Sequence, residues 1–384
     1  MSCKKWFYGA LIILLAGVFI FTGFSCAQPA PAPSPAPASK PAPAPAPAPT
    51  PVPATAPSPK PSPSAAPSGP PPGAAPIKIS YLGGMPLKTL VTDGQDKFKE
   101  IIEKRSNGVI TVELYPAGQL YQHKDIPEAI QNGAASMAVA DPNQWSGTCP
   151  ISMAVQLPMG FDTMAQHQKF LANMAPIFNK ELEKMKTLMI GWNYYGAGMG
   201  IISKDPIKTV ADLNGKKLRG MGEIQEVVFG ALGAKVVAMS SAEVYTAMQR
   251  GMLDAGYSGM DTFVSRKWME PFKYVVLPPN NGTFTPIPYP IVWNMDKWKA
   301  LPAWAQQMVS AVTDEVYKWQ LAESDSTDQK NMVTLKENGV TIYSLPAAEY
   351  SQWTKAAAVG WKYVAERDKD NGAAMLKAAD TARS

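Results

Sequence analysis

Between Lys204 and Asp261 strand-like and helix-like stretches alternate so closely that an α/β sheet is the architecture that accommodates them. Asn214-Gly215 is a turn signal, and Lys217-Leu218-Arg219 follows it as a short strand. Apolar residues then recur at helical spacing from Glu223 to Leu232, and Gly233 stops them. Lys235-Val236-Val237 is strand-like again. Ser240, with Glu243 three residues later, has the form of a capping box, whose hydroxyl and carboxylate satisfy the free amides that open a helix; Gly251 closes it. Leu253 to Tyr257 is the last short strand. Arg219 therefore stands where a strand ends, and ligands of open α/β sheets bind outside the carboxyl ends of strands. Its planar fork of donors suits a carboxylate.

Similar alternation precedes this stretch. Ile77 to Leu82 is a strand, Leu87 to Arg105 a helix ended by Asn107-Gly108, and Val109 to Tyr115 a strand; Asp125 to Gln131 is a short helix and Ser136 to Ala140 a strand. That order makes a first lobe whose post-strand loops, carrying Gly83, Gly84 and Met85 and then Asp141, Asn143 and Trp145, face a cleft. Trp145 has two readings, a ligand contact or a cap on the core. Thr187 to Trp192 is a strand, and the glycines at 196, 198 and 200 follow it. They lack the G-x-G-x-x-G spacing that opens a helix and run into a strand at Ile201-Ile202, so they serve close backbone approach or a crossover between lobes, not phosphate binding. Trp192, Tyr195 and Tyr257 are candidates for an apolar pocket wall. Gly222, Ser258 and Asp261 stand beside the two strands that frame Arg219. Further on, Pro286, Pro288 and Pro290 confine the strand within 283–293 to an edge or a crossover. Pro302 opens a helical pattern that runs from 303 to about 337 and stops at Asn338-Gly339, roughly 50 Å long.

The N-terminal fifth is of another kind. Lys4-Lys5, an apolar run from Trp6 to Phe24 and the small residues Ser25-Cys26-Ala27 form a secretory signal over 1–27. Lipidation at Cys26, plain cleavage before Gln28 and an uncleaved anchor are its alternatives, and the lipid is preferred because it would tether the proline-rich stretch after it. Residues 29–76 hold 21 of the 37 prolines and no acid, a composition that buries no core and suits an extended spacer. At ~3.1 Å per residue its reach is on the order of 150 Å. Without this leader, 32 basic residues face 31 acidic ones, so nothing supports nucleic-acid binding. Cys3 and Cys26 belong to the leader, which leaves Cys149 with no partner for an intramolecular disulfide.

The ordered stretches "DLNGKKLR", "LGAKVV" and "AEVYTAMQRGMLDAG", with "ELYPAGQL" before and "NMDKWKALPAWAQQ" after, resemble the extracytoplasmic solute-binding subunits of TRAP transporters, the DctP-type family. The resemblance implies an α/β, two-lobe periplasmic-binding-protein fold (type II-like) with hinge strands and a long lobe-spanning helix. Lobe I is then 77–200 with 286–384 returning to it, and lobe II is 201–285. It implies an organic-acid ligand held by Arg219 between the lobes, delivery to TRAP membrane permease subunits, and a periplasmic or extracytoplasmic location, to which the lipid expected on Cys26 would add a membrane tether. Leu157 to Phe161 looks like a family element that lines the cleft, which makes Phe161 a candidate. The chain departs from the pattern twice: no second arginine stands at 196–198, and Ser258 occupies the place of a ligand-contacting asparagine. That argues against the most polar substrates. Some relatives bridge a keto acid with a metal, for which Glu223 and Asp261 are weak candidates here; no ligand cluster is visible.

Enzyme signatures are missing. His123 and His167 lie in different segments, Cys149 has no histidine beside it, and G-x-S-x-G, H-E-x-x-H, C-x-x-C and the P-loop pattern do not occur. Glu223 has a second reading as an internal ion-pair partner of Arg219. With the aromatic residues as walls, a keto, hydroxy or aromatic monocarboxylate is expected in preference to a small dicarboxylate. A binding protein of an ATP-driven importer and a cell-surface sensor are the alternatives, and an exported enzyme is a more distant one.

Overall fold

The structure is a computed structural model that describes residues 69–384 apart from 197, so the expectations for the signal, Cys26 and most of the spacer lie outside the described residues. Eleven strands are seen among them: β1 (Ile77–Gly83), β2 (Ile110–Tyr115), β3 (Met137–Val139), β4 (Thr187–Tyr194), β5 (Met199–Ser203), β6 (Lys217–Gly220), β7 (Lys235–Ala238), β8 (Ala255–Gly259), β9 (Tyr274–Leu277), β10 (Pro288–Asn294) and β11 (Thr341–Ser344). Two sheets result, one in the order β2-β1-β3-β10-β4 and one in the order β11-β9-β5-β8-β6-β7. The first lobe's helices are α1 (Leu90–Arg105), α2 (Ile126–Gln131) and α3 (Met164–Glu183), and the second's are α4 (Glu223–Ala231), α5 (Ser241–Gln249) and α6 (Met260–Ser265). The chain ends with α7 (Met295–Ala300), α8 (Ala303–Glu337), α9 (Ala347–Arg367) and α10 (Gly372–Arg383).

Local chemistry explains where these elements start and stop. Thr89 caps α1 with Thr92, Thr163 caps α3 with Gln166, and Ser240 caps α5 with Glu243, each pair exchanging side-chain and backbone hydrogen bonds. Gly233 and Gly251, which follow α4 and α5, hold φ of 91° and 68°, a left-handed conformation that costs glycine little.

Between Tyr194 and Met199 the chain passes from the first sheet to the second, and between Leu277 and Pro288 it returns. Because β5 lies wholly in the second sheet, the crossover precedes Gly200. Helix α8 spans 35 residues with the expected ends and packs on β4 and α1 at one end and on α6 and β11 at the other. Buried Gln320 fastens it beside the crossover: its Oε1 accepts from Tyr194 N at 2.9 Å, and its Nε2 donates to Leu90 O at 2.8 Å and Asn193 Oδ1 at 3.0 Å.

Of the two places expected for the proline-bearing strand, the crossover holds and the edge does not: β10 follows the return between Leu277 and Pro288 and lies inside the sheet, between β3 and β4. The prolines fit because Pro288 and Pro290 pair only with β4, while pairing with β3 begins at Ile291. The C-terminal region also does not return to lobe I as one piece. Strand β11 runs parallel to β9 in the second sheet, and α9 packs on α4, leaving α10 to cover α3.

Candidate ligand site between the two sheets

Arg219 is the third residue of β6 and only 6% exposed. Two backbone carbonyls aim it: Nε donates to Met239 O at 3.0 Å and Nη1 to Tyr257 O at 2.8 Å. The guanidinium lies 5.5 Å from the centre of the Trp268 ring. Two of its five N–H groups are thus engaged, and three, one on Nη1 and both on Nη2, remain. Among the described residues no carboxylate comes within the 4.0 Å of an ion pair with it. Glu223, the alternative partner, bonds instead to Tyr363 and Arg367 of α9, which also removes it as a metal candidate. Burial pulls the Arg219 pKa down to about 10, so it stays cationic at neutral pH.

Arg219 opens into a cavity of about 710 Å³ between the lobes. The rings of Tyr195 and Tyr289 meet edge-to-face at 5.8 Å along it, and the Tyr195 hydroxyl shares a hydrogen bond with Thr262 Oγ1. Burial raises both phenols, so they present neutral hydroxyls. The facing wall comes from the segments after β1, β2 and β3. Met85 lines it, and His123 Nε2 sits 3.4 Å from Asp141 Oδ2. Asp141 Oδ1 accepts from Asn143 N at 2.9 Å and Nδ2 at 3.1 Å. Gly84 lies against the His123 ring so closely that a Cβ there would overlap it.

Of the sequence candidates, the structure brings Arg219, Tyr195, Ser258 and Met85 together on this cavity. The others lie elsewhere. Trp145 is 3% exposed with its ring edge-on to Phe178 at 6.0 Å, so it caps the core. Phe161 packs between Phe170 and Trp361 under the guanidinium of Arg383 and does not line the cavity. Trp192 is half-buried against the core. Tyr257 turns its ring onto Phe229 at 4.9 Å, and only its carbonyl meets Arg219. Gly222 begins α4 and faces Asn143 of the other lobe. Asp261 lines a separate cavity of about 10 Å³ beside the crossover, with Ser324 and Asp328 of α8. Burial raises its carboxyl to about 7, and Oδ2 has no hydrogen-bond partner. Among the described residues no group of three or more His, Cys, Asp or Glu is placed to hold a metal. Sequence reasoning missed Tyr289, Lys124 and Arg266 on the cavity.

The family model described as bacterial extracellular solute-binding protein, family 7 (DctP) matches residues 84–368. The chain belongs to this family. Within it, the chain is 27% identical over 311 residues to the C4-dicarboxylate-binding periplasmic protein DctP of Rhodobacter capsulatus, covering 80% of this chain and 92% of that one. Among solved structures it resembles a TRAP periplasmic solute-binding protein of Desulfovibrio salexigens with bound orotic acid (TM-score 0.74, 21% identity, 80% of this chain and 98% of that one). It also resembles one of Rhodoferax ferrireducens with bound malonate (TM-score 0.73, 22% identity, 79% and 98%). These structural likenesses carry the two-lobe fold, and family membership carries extracytoplasmic solute binding.

Proposed function

We propose that this DctP-family protein captures a small organic acid in the interlobe cavity, with its carboxylate on Arg219, and delivers it to a TRAP membrane permease. The observation that carries the reading is a nearly buried guanidinium, fixed by two carbonyls and lacking a protein carboxylate, at the wall of the cavity. A buried cation without a partner is costly, and an incoming carboxylate supplies the missing charge. Relatives with C4-dicarboxylate, orotic acid and malonate in their descriptions fit the same class. Closure about the two crossovers would expel water and strengthen the ion pair.

The expectation of a keto, hydroxy or aromatic monocarboxylate rested on Trp192, Tyr195 and Tyr257 as walls; of these Tyr195 lines the cavity, and Trp192 and Tyr257 do not. The cavity walls are instead mixed, with Tyr195 and Tyr289 among His123, Asp141, Ser258 and Thr262. The proposal is therefore an acid with a polar body. A thermal-shift panel of small acids, each beside its primary amide, tests it: an acid should raise the melting temperature where its amide does not. Equal shifts for acid and amide would remove Arg219 from the binding step. A lipid on Cys26 would tether the receptor near the permease, and the mass of the mature N-terminus decides that part.

A further inference from the structure

We propose that Asp261 is a proton-operated fastening between the crossover, α6 and α8, so that capture of the acid takes up a proton and weakens as the medium goes from acid to neutral. The inference rests on the proposed capture of an acid between the lobes and adds a regulation to it.

Asp261 is the second residue of α6, at the joint where the crossover meets this helix and α8. Met260 N donates to Gly198 O of the crossover at 3.1 Å. The joint is close-packed: a Cβ on Gly198 would overlap Met260 and Asp328, and one on Gly259 would overlap Tyr195 and Asp261. Asp261 Oδ1 accepts from Thr262 N at 2.6 Å, while Oδ2 is buried and has no partner among the described residues. The space beside it, about 10 Å³, has room for one water molecule and is shared with Ser324, Thr327 and Asp328 of α8; no cation lines it. An ionised carboxylate with a bare oxygen in such a place is costly, and protonation turns that oxygen into a hydroxyl donor. Burial raises the carboxyl to about 7 against the donors of Thr262 and Tyr195, and Asp93 of α1 adds to the rise. Tyr195 is the link to the ligand. It lines this small cavity and the ligand cavity alike, and its hydroxyl bonds Thr262, the next residue after Asp261. Opening of the lobes about the crossover loosens the joint and admits water, and a solvated carboxyl ionises near its ordinary 3.8. The closed form therefore holds a proton that the open form has released between about pH 4 and about pH 7. Closure is favoured most below that window, and the advantage is lost as pH rises through it.

Calorimetry on the intact protein tests this with a small organic acid that is fully ionised from pH 5 upward. At pH 6, in two buffers of different ionisation enthalpy, wild type should take up about one proton per ligand, and its affinity should fall roughly tenfold or more between pH 5 and pH 8. Asp261→Asn is isosteric with the protonated acid. It should cut the uptake by about half a proton or more and bind at pH 8 roughly tenfold more tightly than wild type. His123 on the ligand cavity and Asp93 beside the joint remain in both proteins, so the difference between them belongs to residue 261. A second arm needs no ligand. Fluorophores on Leu120→Cys and Val237→Cys, both exposed and one on each lobe, should move apart from pH 5 to pH 8 with Asp261 present and keep their distance with Asp261→Asn. An Asp261→Asn protein with the proton uptake and pH profile of wild type overturns the proposal, as does a fluorophore distance indifferent to residue 261. If no acid binds at all, the capture reading falls, and the fluorophore pair alone decides this one.

Discussion

Replacing Arg219 separates ligand recognition from fold stability. The side chain is 6% exposed, donates to Met239 O at 3.0 Å and Tyr257 O at 2.8 Å, and keeps three N–H groups, one on Nη1 and both on Nη2, for the ligand. Arg219→Ala removes a charge-assisted pair from a water-poor site, a loss of about 2–5 kcal/mol. At about 1.4 kcal/mol per decade this weakens binding roughly 30-fold to several thousand-fold. Arg219→Lys is predicted to lose much of that, because an ammonium reaches as a single point charge and cannot span two acceptors as a fork. The two carbonyls that lose their donors cost stability, about 1–3 kcal/mol each if left dry. Removing an uncompensated buried cation offsets part of that cost, so the unliganded melting temperature should move far less than the affinity. Titration calorimetry on wild type and both variants, with melting curves as the fold control, measures the two effects. Affinity for the best acid within twofold of wild type in Arg219→Ala would refute the reasoning.

Two further substitutions probe the lobes and the crossover. At Gly222 an added Cβ would meet Asn143 Cγ at 2.7 Å and Oδ1 at 2.8 Å, so Gly222→Ala should hold the lobes apart. A weakening of about 1–3 kcal/mol with an unchanged unliganded melting temperature is expected, and an unchanged affinity would contradict it. Asp261 has its carboxyl raised from 3.8 to about 7 by burial, so the folded state holds a proton that the unfolded state has released. Its contribution is full below about pH 4 and is lost as pH rises to about 7, on the order of 4 kcal/mol. Asp261→Asn should remove that slope and melt higher than wild type at pH 8; parallel melting-versus-pH curves for the two proteins would contradict this.

What was legible in the sequence was what local chemistry decides. Pro302 and Asn338-Gly339 bracket α8, Ser240 and Glu243 announce α5, and a turn with a short strand places Arg219 near a strand's carboxyl end, on a cavity. What was not legible depends on partners distant in the chain. Trp145 is a core residue because Phe178 stands across from it, and half-buried Phe161 is held away from the cavity by Trp361, 200 positions later. Glu223 is drawn from Arg219 by Arg367 on a helix 144 positions away. The placement of β11 in the second sheet follows from α8 carrying the chain across both lobes, which no period in residues 341–344 reveals.

A crystal structure of the protein purified with its native ligand tests the central claim most directly. The account predicts a small acid between the two sheets, with carboxylate oxygens about 2.7–2.9 Å from the Nη1 and Nη2 atoms of Arg219. A ligand lodged elsewhere, or one in the cavity whose acid group turns away from Arg219, would contradict it.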